Sequence, residues 1–341
     1  MDFTAGGRLE VRITPSDVGK RVSVRRITEI VDGRPVFSDA VGILTSWGQG
    51  VLVVTRRDGE TVRIAESSLV AGKIVPGAPA RRGARAPRAT ARELQESAAR
   101  CWPAQETARL GAWTLRAAGG FTRRANSVLP LGDPGVPLAE AAARTARWYG
   151  DRGLPTYVQV TTGGEDSDEN LAQALEGLGW TAEGHALLRT AALAPIADQP
   201  GAEAVRLSRE ADAAWLARYH RTGDLGEAAL KVLGGGPSVW FATVPGDGDA
   251  GGAGPVAIGR CVVDGRFASF NALEVAPEHR RRGLAGAVMA ALARKALDEG
   301  ASGAYLQVEA GNEGARALYD RMGFTTHHAY HYRRGPLAAE G

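Results

Sequence analysis

The chain has 341 residues, 44% of them hydrophobic and 23% charged, and a formal net charge of +3. That length holds two or three domains with real cores, and the balance is that of an ordinary globular protein. So small a net charge argues against nucleic-acid binding through bulk electrostatics and leaves only local clusters to weigh.

No apolar run is long enough to span a bilayer, and "MDFTAGGRLEVRI" lacks the basic start and apolar stretch of a signal peptide. The only cysteines, Cys101 and Cys261, share no metal-binding pattern. A reduced, cytoplasmic compartment and no membrane partner are expected.

Residues 18–76 read as five short strands. "KRVSVRRIT" alternates, and Gly48-Gln49-Gly50 and Asp58-Gly59 are hairpin turn signals. A small SH3-like all-β barrel is expected over residues 1–76. Residues 77–92, "GAPARRGARAPRATAR", offer no apolar surface to tie that barrel down and read as a basic flexible linker.

From residue 93 the pattern is mixed. A helix is expected over about 93–101, then two strands around Gly119-Gly120, and a helix that begins at Pro137. The strand "TYVQV", a helix capped by Ser167 or Asp168 and the strand "GHALLRTAAL" come next.

A second series then repeats the first. Tyr157-Val158-Gln159-Val160 matches Tyr305-Leu306-Gln307-Val308, Gly179-Trp180-Thr181 matches Gly323-Phe324-Thr325, and Asn126 stands where the second copy has Asn271. The copies differ at one place, "PLGDPGVPLAEA" against "VAPEHRRRGLAGA". The same unit is therefore expected twice, degenerate over residues 93–199 and intact over 200–341.

In the second copy four basic-capable side chains, His279 to Arg282, run into Gly283 at a helix start. A helix start already carries partial positive charge and unpaired N–H groups, so arginines there make sense only if an anion is expected. Arg280-Arg281-Arg282-Gly283-Leu284-Ala285 fits Arg/Gln-x-x-Gly-x-Gly/Ala, between the strand "FASFNALEV" and the helix "LAGAVMAALARKAL". Further along stands "YLQVEAGNEGARALYDRMGF", with Asn312 at a helix start and Tyr319 two turns along.

On these motifs the sequence resembles the GNAT (Gcn5-related) N-acetyltransferases. "RLGAWTLRAAGGFTRRANSVLPLGDPG" and "VGILTSWGQGVLVV" carry a closer resemblance to an actinobacterial type with an N-terminal SH3-like barrel and a degenerate first half. The fold class this implies is α/β (α+β): tandem GNAT-like mixed sheets flanked by helices, preceded by a small all-β barrel.

The resemblance implies acetyl-CoA as co-substrate, no metal, and direct transfer of the acetyl group to a primary amine on a small molecule or a protein. It places the pyrophosphate on Arg280, Arg281, Arg282, Gly283, Leu284, Ala285 and Gly286, with Asn312 and Tyr319 as further cofactor contacts. Backbone N–H groups of Leu273 or Val275 would polarise the carbonyl, and Tyr319 would protonate the leaving thiolate.

The base stays open between Glu274, Glu309 and a water relay. Simple alternation turns Glu274 away from Ser269, Asn271 and Leu273, and a bulge would reverse that. His327 and His331 could share a face, yet no carboxylate or cysteine completes a metal set. The rival reading is an acyl-CoA-sensing regulatory protein that recruits protein or nucleic acid through residues 1–92.

Overall fold

The computed structural model describes residues 11–31, 33–56, 60–74, 86–219, 226–246 and 254–336. The expected turn at Asp58-Gly59 and most of the expected linker lie outside them.

Five strands come first: β1 (Arg21–Val31), β2 (Arg34–Gly48), β3 (Val51–Thr55), β4 (Thr61–Ala65) and β5 (Leu69–Ile74). They form an antiparallel sheet in the order β4-β3-β2-β1-β5, compatible with a small barrel-like unit. Alternation does the work here. Val22, Val24, Leu44, Leu52, Val54 and Ile64 point to one side and make its core.

The middle stretch holds α1 (Ala91–Cys101), β6 (Glu106–Leu110), β7 (Trp113–Ala117), β8 (Leu129–Pro130), α2 (Leu138–Gly150), β9 (Tyr157–Thr162), α3 (Glu169–Gly177) and β10 (Thr181–Ala192). α1 starts two residues before the expected position because Thr90 caps it: its hydroxyl accepts from the Glu93 N–H, and the Glu93 carboxylate accepts from the Thr90 N–H.

The last stretch holds α4 (Leu193–Ala197), β11 (Arg206–Ser208), α5 (Ala213–Arg218), α6 (Glu227–Gly234), β12 (Ser238–Val244), β13 (Ala257–Asp264), β14 (Phe267–Val275), α7 (Leu284–Asp298), β15 (Gly303–Glu309), α8 (Glu313–Arg321) and β16 (Thr325–Arg334).

Eight strands share one sheet, in the order β11-β12-β13-β14-β15-β10-β16-β9. β10 lies between β15 and β16, antiparallel to both. Strands from either side of residue 200 thus interleave in a single sheet. β6, β7 and β8 form a separate three-stranded sheet, linked to β9 by a Val128–Val158 bridge.

The two faces of the large sheet are packed differently. On one, Ala257, Cys261, Ala268, Phe270, Leu306 and Val308 meet α4 and α7. Gly259 lets α7 come close, since a Cβ there would stand 2.5 Å from Val288 Cγ1. On the other face, Ile258, Val262, Phe267 and Tyr305 meet Leu94 and Trp102 at α1, Trp215 of α5 and Leu233 of α6.

The N-terminal sheet is docked, against the expectation of a barrel with nothing to hold it. Ile43 of β2 is buried in the same cluster as α7.

A directional chain of hydrogen bonds ties residues 86–90 to the sheet. Arg116 Nη2 donates to Gln159 Oε1 (3.0 Å), Gln159 Nε2 to Gln95 Oε1 (2.7 Å), and Gln95 Nε2 to His328 Nε2 (2.8 Å). His328 Nδ1 then meets His327 Nδ1 at 2.9 Å, and His327 Nε2 donates to the Ala89 carbonyl at 2.9 Å. The carbonyl only accepts, so the order of donors fixes both tautomers. A second proton on His328 has nowhere to go, and burial, followed by the charge of His327, pushes its pKa down to about 3.

Below about pH 6.5 the unfolded chain therefore binds a proton at His328 that the folded chain does not, and stability falls by about 1.4 kcal/mol per pH unit. Half-buried Asp298 and Asp168, raised to about 7 and about 6 chiefly by desolvation, act in the opposite sense. The His328 effect is thus read as a difference. In urea unfolding, the stability of wild type relative to His328→Gln should shrink by about 2 kcal/mol between about pH 7.5 and about pH 5. A difference independent of pH would mean that the ring is hydrated in the folded state.

Candidate active site

β14 and β15 run parallel and pair over four positions only, from Phe267↔Gly303 to Phe270↔Leu306. Beyond Phe270 the strands part. β14 stays bound to β13 on its other edge, through Ile258↔Glu274 and Ala257↔Val275. The parting coincides with a bulge, since the register with β13 jumps between Ile258 and Arg260, and Ala272 takes φ 51°. A left-handed alanine is strained, and the surrounding pairing holds it there.

The bulge swaps the faces of residues 272–275. Ala268 and Phe270 pack on the α7 side, and so do Leu273 and Val275, while Ala272 packs on the α1 side. Glu274, between Leu273 and Val275, is turned to the side of Ser269 and Asn271, the reversal that only a bulge allows.

Successive residues of a strand send their N–H groups to opposite edges. Ala276 donates to the Val256 carbonyl on the β13 side, so Leu273 and Val275 aim theirs into the opening.

A 3₁₀ turn, Pro277–His279, leads from β14 to the basic loop. Arg280, Arg281 and Arg282 are exposed. Arg280 Nε reaches the Val275 carbonyl at 3.4 Å, and Arg282 Nη1 lies 2.9 Å from His279 Nδ1. Arg281 has φ 61° and Gly283 φ 80°, two left-handed turns that fold the loop back over the start of α7.

That helix start is bare. Gly283 offers no side-chain cap, the first turn of Leu284, Ala285 and Gly286 contains no acid, and the space around Gly283 is open. The three guanidinium groups stand beside the N–H groups of that turn, and among the described residues no side chain caps the helix start.

The matching turn of the first copy differs in kind. Asp133 Oδ1 already accepts from the Gly135 N–H at 2.7 Å, and Glu140 lies in the first turn of α2.

α8 lies beside the opening. Asn312 caps it, with Oδ1 accepting from the Ala315 N–H at 3.0 Å. Ala315, Leu318, Tyr319 and Met322 form its apolar stripe against the α7-side core. Tyr319 is half-buried, edge-on to Phe324 with centroids 5.7 Å apart.

Arg189 of β10, itself buried, anchors this helix. It donates to the carbonyls of Arg316 (3.1 Å) and Phe324 (2.6 Å) and to the Asp320 carboxylate.

Tyr319, Leu273, Val275 and Leu284 thus share the α7 side of the sheet. The two candidate bases do not. Glu274 is half-buried on the α1 side, and Glu309 is exposed at the end of β15, paired with Ala186.

The histidines of β16 serve the hydrogen-bond chain from Arg116 to Ala89 or, for His331, stack on His185 with centroids 5.1 Å apart. Among the described residues no three His, Cys, Asp or Glu side chains gather as a metal site requires.

Sequence reasoning missed a polar group on the α1 side of the opening. Arg260 Nη1 donates to Asn271 Oδ1 (2.6 Å), Arg124 Nη1 donates to Gln307 Oε1 (2.9 Å), and both guanidinium groups lie against the Trp102 ring. The available signal was that Asn126 and Asn271, and Gln159 and Gln307, recur at matching places in the two copies.

Parting parallel strands, a bare basic helix start in the gap and a tyrosine-bearing helix beside it define an acetyltransferase of the GNAT type. Residues 88–333 match the family described as probable histone acetyltransferase Rv0428c C-terminal, and the chain belongs to that family.

It is similar to the probable histone acetyltransferase Rv0428c of Mycobacterium tuberculosis, 27% identical over 321 residues, 92% of this chain and 94% of that one. The uncharacterized N-acetyltransferase YobR of Bacillus subtilis is 26% identical over 253 residues, 71% of this chain and 97% of its own. Two solved structures share the fold at TM-score 0.52. One is a GCN5-related N-acetyltransferase from Kribbella flavida (18% identity, 73% of this chain, 96% of that one). The other is a tandem GNAT protein from the clavulanic acid biosynthesis pathway (13% identity, 75% and 91%).

Arg189→Met should cost about 1–3 kcal/mol, because two buried carbonyls lose their donor. The loss should be local, with amide exchange in α8 quickening more than in α7. Unchanged exchange across Glu313–Arg321 would mean that the apolar stripe alone holds the helix.

Proposed function

We propose that the chain transfers an acetyl group from acetyl-CoA to a primary amine by direct attack within the β14/β15 opening. The observation that carries this is the bare start of α7, flanked by three arginines, at the mouth of that opening. A polyanion such as a pyrophosphate fits it. Backbone N–H groups of Leu284, Ala285 and Gly286 would hold the phosphate oxygens, and Arg280, Arg281 and Arg282 would add charge-assisted bonds. Asn312 would lie alongside, its Oδ1 committed to the cap and its amide nitrogen turned to other work.

The thioester supplies the activated acyl group; the rest is the chain's own chemistry. N–H groups of Leu273 and Val275 are aimed at the carbonyl oxygen and stabilise the charge that develops there. The acceptor approaches from the α1 side, where Glu274 takes its proton directly or through water, with Glu309 as the more exposed substitute.

The amine nitrogen bonds to the carbonyl carbon, and the carbon–sulfur bond breaks. Tyr319, on the opposite side of the sheet, gives its phenolic proton to the departing sulfur. A free amine has a pKa near about 10.4, so it must lose a proton on one face while sulfur gains one on the other. The division of the acidic candidates and Tyr319 between the two faces suits that traffic.

The test is release of free thiol from acetyl-CoA with a panel of amines: histone-tail peptides, polyamines, aminoglycosides and amino acids. The Mycobacterium relative's name puts histones on that panel. Tyr319→Phe should lower kcat on the best acceptor by about 10²–10⁴-fold and leave acetyl-CoA affinity nearly intact, because the phenol acts on a charge that exists only during reaction. Wild-type kcat in the Phe variant would remove Tyr319 from the mechanism and leave water as the proton donor.

A further inference from the structure

On the α1 side of the opening the chain gathers three arginines. Among the described residues Arg116, Arg124 and Arg260 form no ion pair with a carboxylate; their hydrogen-bond partners are neutral oxygens. Burial depresses both Arg116 and Arg260, Arg260 to about 10, and the charge of Arg124 adds to each.

The three arginines are not equivalent. Arg260 is fully buried and spends its donors on the Cys101, Leu233 and Gly235 carbonyls and on Asn271. Those carbonyls close the C-terminal ends of α1 and α6, where partial negative charge answers a cation. Arg116 is spent in the same way, on Ser127 and Gln159. Arg124 is different. It is half-buried, bonds only Gln307 and leaves the other edge of its guanidinium without a hydrogen-bond partner among the described residues.

Arg124 is also held in place. Its plane lies over the Trp102 ring, 4.8 Å from the centroid. Asn126 ties the loop that carries it with four bonds: Oδ1 accepts from the N–H groups of Ala118 and Gly120, and Nδ2 donates to the carbonyls of Phe121 and Thr122. Trp102 Nε1 adds a fifth, to the Thr122 hydroxyl. Such investment in an exposed guanidinium edge suits a binding group.

Its position is as telling. Gln307 and Asn271 are the first residues of β15 and β14 past their last pair, Phe270↔Leu306. Arg124 therefore stands at the mouth of the opening, on the face opposite the one that α7 covers. Glu274 and Glu309 share its face of the sheet.

We propose that the amine acceptor carries an anionic group, carboxylate or phosphate, that binds the free edge of Arg124. This rests on the acetyl-transfer reading and names the substrate class of the same site. A guanidinium fork matches either anion with two parallel bonds. The same positive field disfavours the ammonium form of the acceptor, so an amine without an anion is repelled and one with an anion is bound and eased toward its reactive neutral form. A lysine-rich tail is a poor match.

Two matched pairs separate the sources of the anion: lysine against cadaverine for carboxylate, and phosphoethanolamine against ethanolamine for phosphate, with a histone-tail peptide as the cationic control. Thiol release gives kcat/KM for wild type, Arg124→Gln and Arg124→Lys. The anionic member of at least one pair should exceed its partner by about 10- to 100-fold. Arg124→Gln should erase that preference through KM, Arg124→Lys should restore part of it, and acetyl-CoA affinity should hold in both.

Should none of these amines turn over, calorimetric binding of lysine and phosphoethanolamine to CoA-saturated protein serves instead, with the same dependence on Arg124 expected. Equal or better use of the anion-free amines or the peptide, a preference that survives Arg124→Gln, or no Arg124-dependent binding overturns the inference. Failure to bind acetyl-CoA or release thiol with any amine would instead count against acetyl transfer itself.

Discussion

The separation of β14 from β15 is the constraint on which the candidate site depends. Two parallel strands pair for four residues and then leave a gap in an otherwise continuous eight-stranded sheet. A gap of that kind is costly, because backbone groups lose their partners. It persists because each strand is held on its far edge. β13 grips β14 through a bulge, and β10 grips β15 along its full length, from Gly303 to Glu309. The N–H groups of Leu273 and Val275 are then left facing the gap.

β10 is the element that makes the two copies one body. It belongs by sequence to the first copy, yet lies between the last two strands of the second. Through Arg189 it also fixes α8, and with it Tyr319. The first copy lacks the bare, basic helix start and does the work of support. It supplies the strand that props the gap open and the loop that brings Arg124 to its rim. Residues 93–199 thus have a structural role that does not depend on their binding a cofactor.

What could be read from the sequence was local. The basic loop, Gly283, Asn312 and Tyr319 lie within single strand–turn–helix units, where spacing alone fixes relative position. The first five strands could be read because Val22, Val24, Val54 and Ile64 alternate cleanly. The orientation of Glu274 could not, since it depends on a left-handed Ala272 that no residue preference announces.

The insertion of β10 joins residues more than a hundred positions apart, and Gln307 and Arg124 are separated as widely. Hydrophobic periodicity carries no information about such pairings. Two local signals went unused: the Thr90–Glu93 capping box, which starts α1 early, and the alternating stretch before Gly111 that forms β6.

The central claim is that one anion-binding helix start, at Gly283, serves the whole chain. Calorimetric titration of the full protein with acetyl-CoA tests it most directly. One site per chain is predicted in wild type. That site should be lost in Gly283→Asp, which puts a carboxylate among the donors and forces a strained backbone, with the melting transition retained. Two sites per chain, or undiminished binding in the aspartate variant, would contradict it.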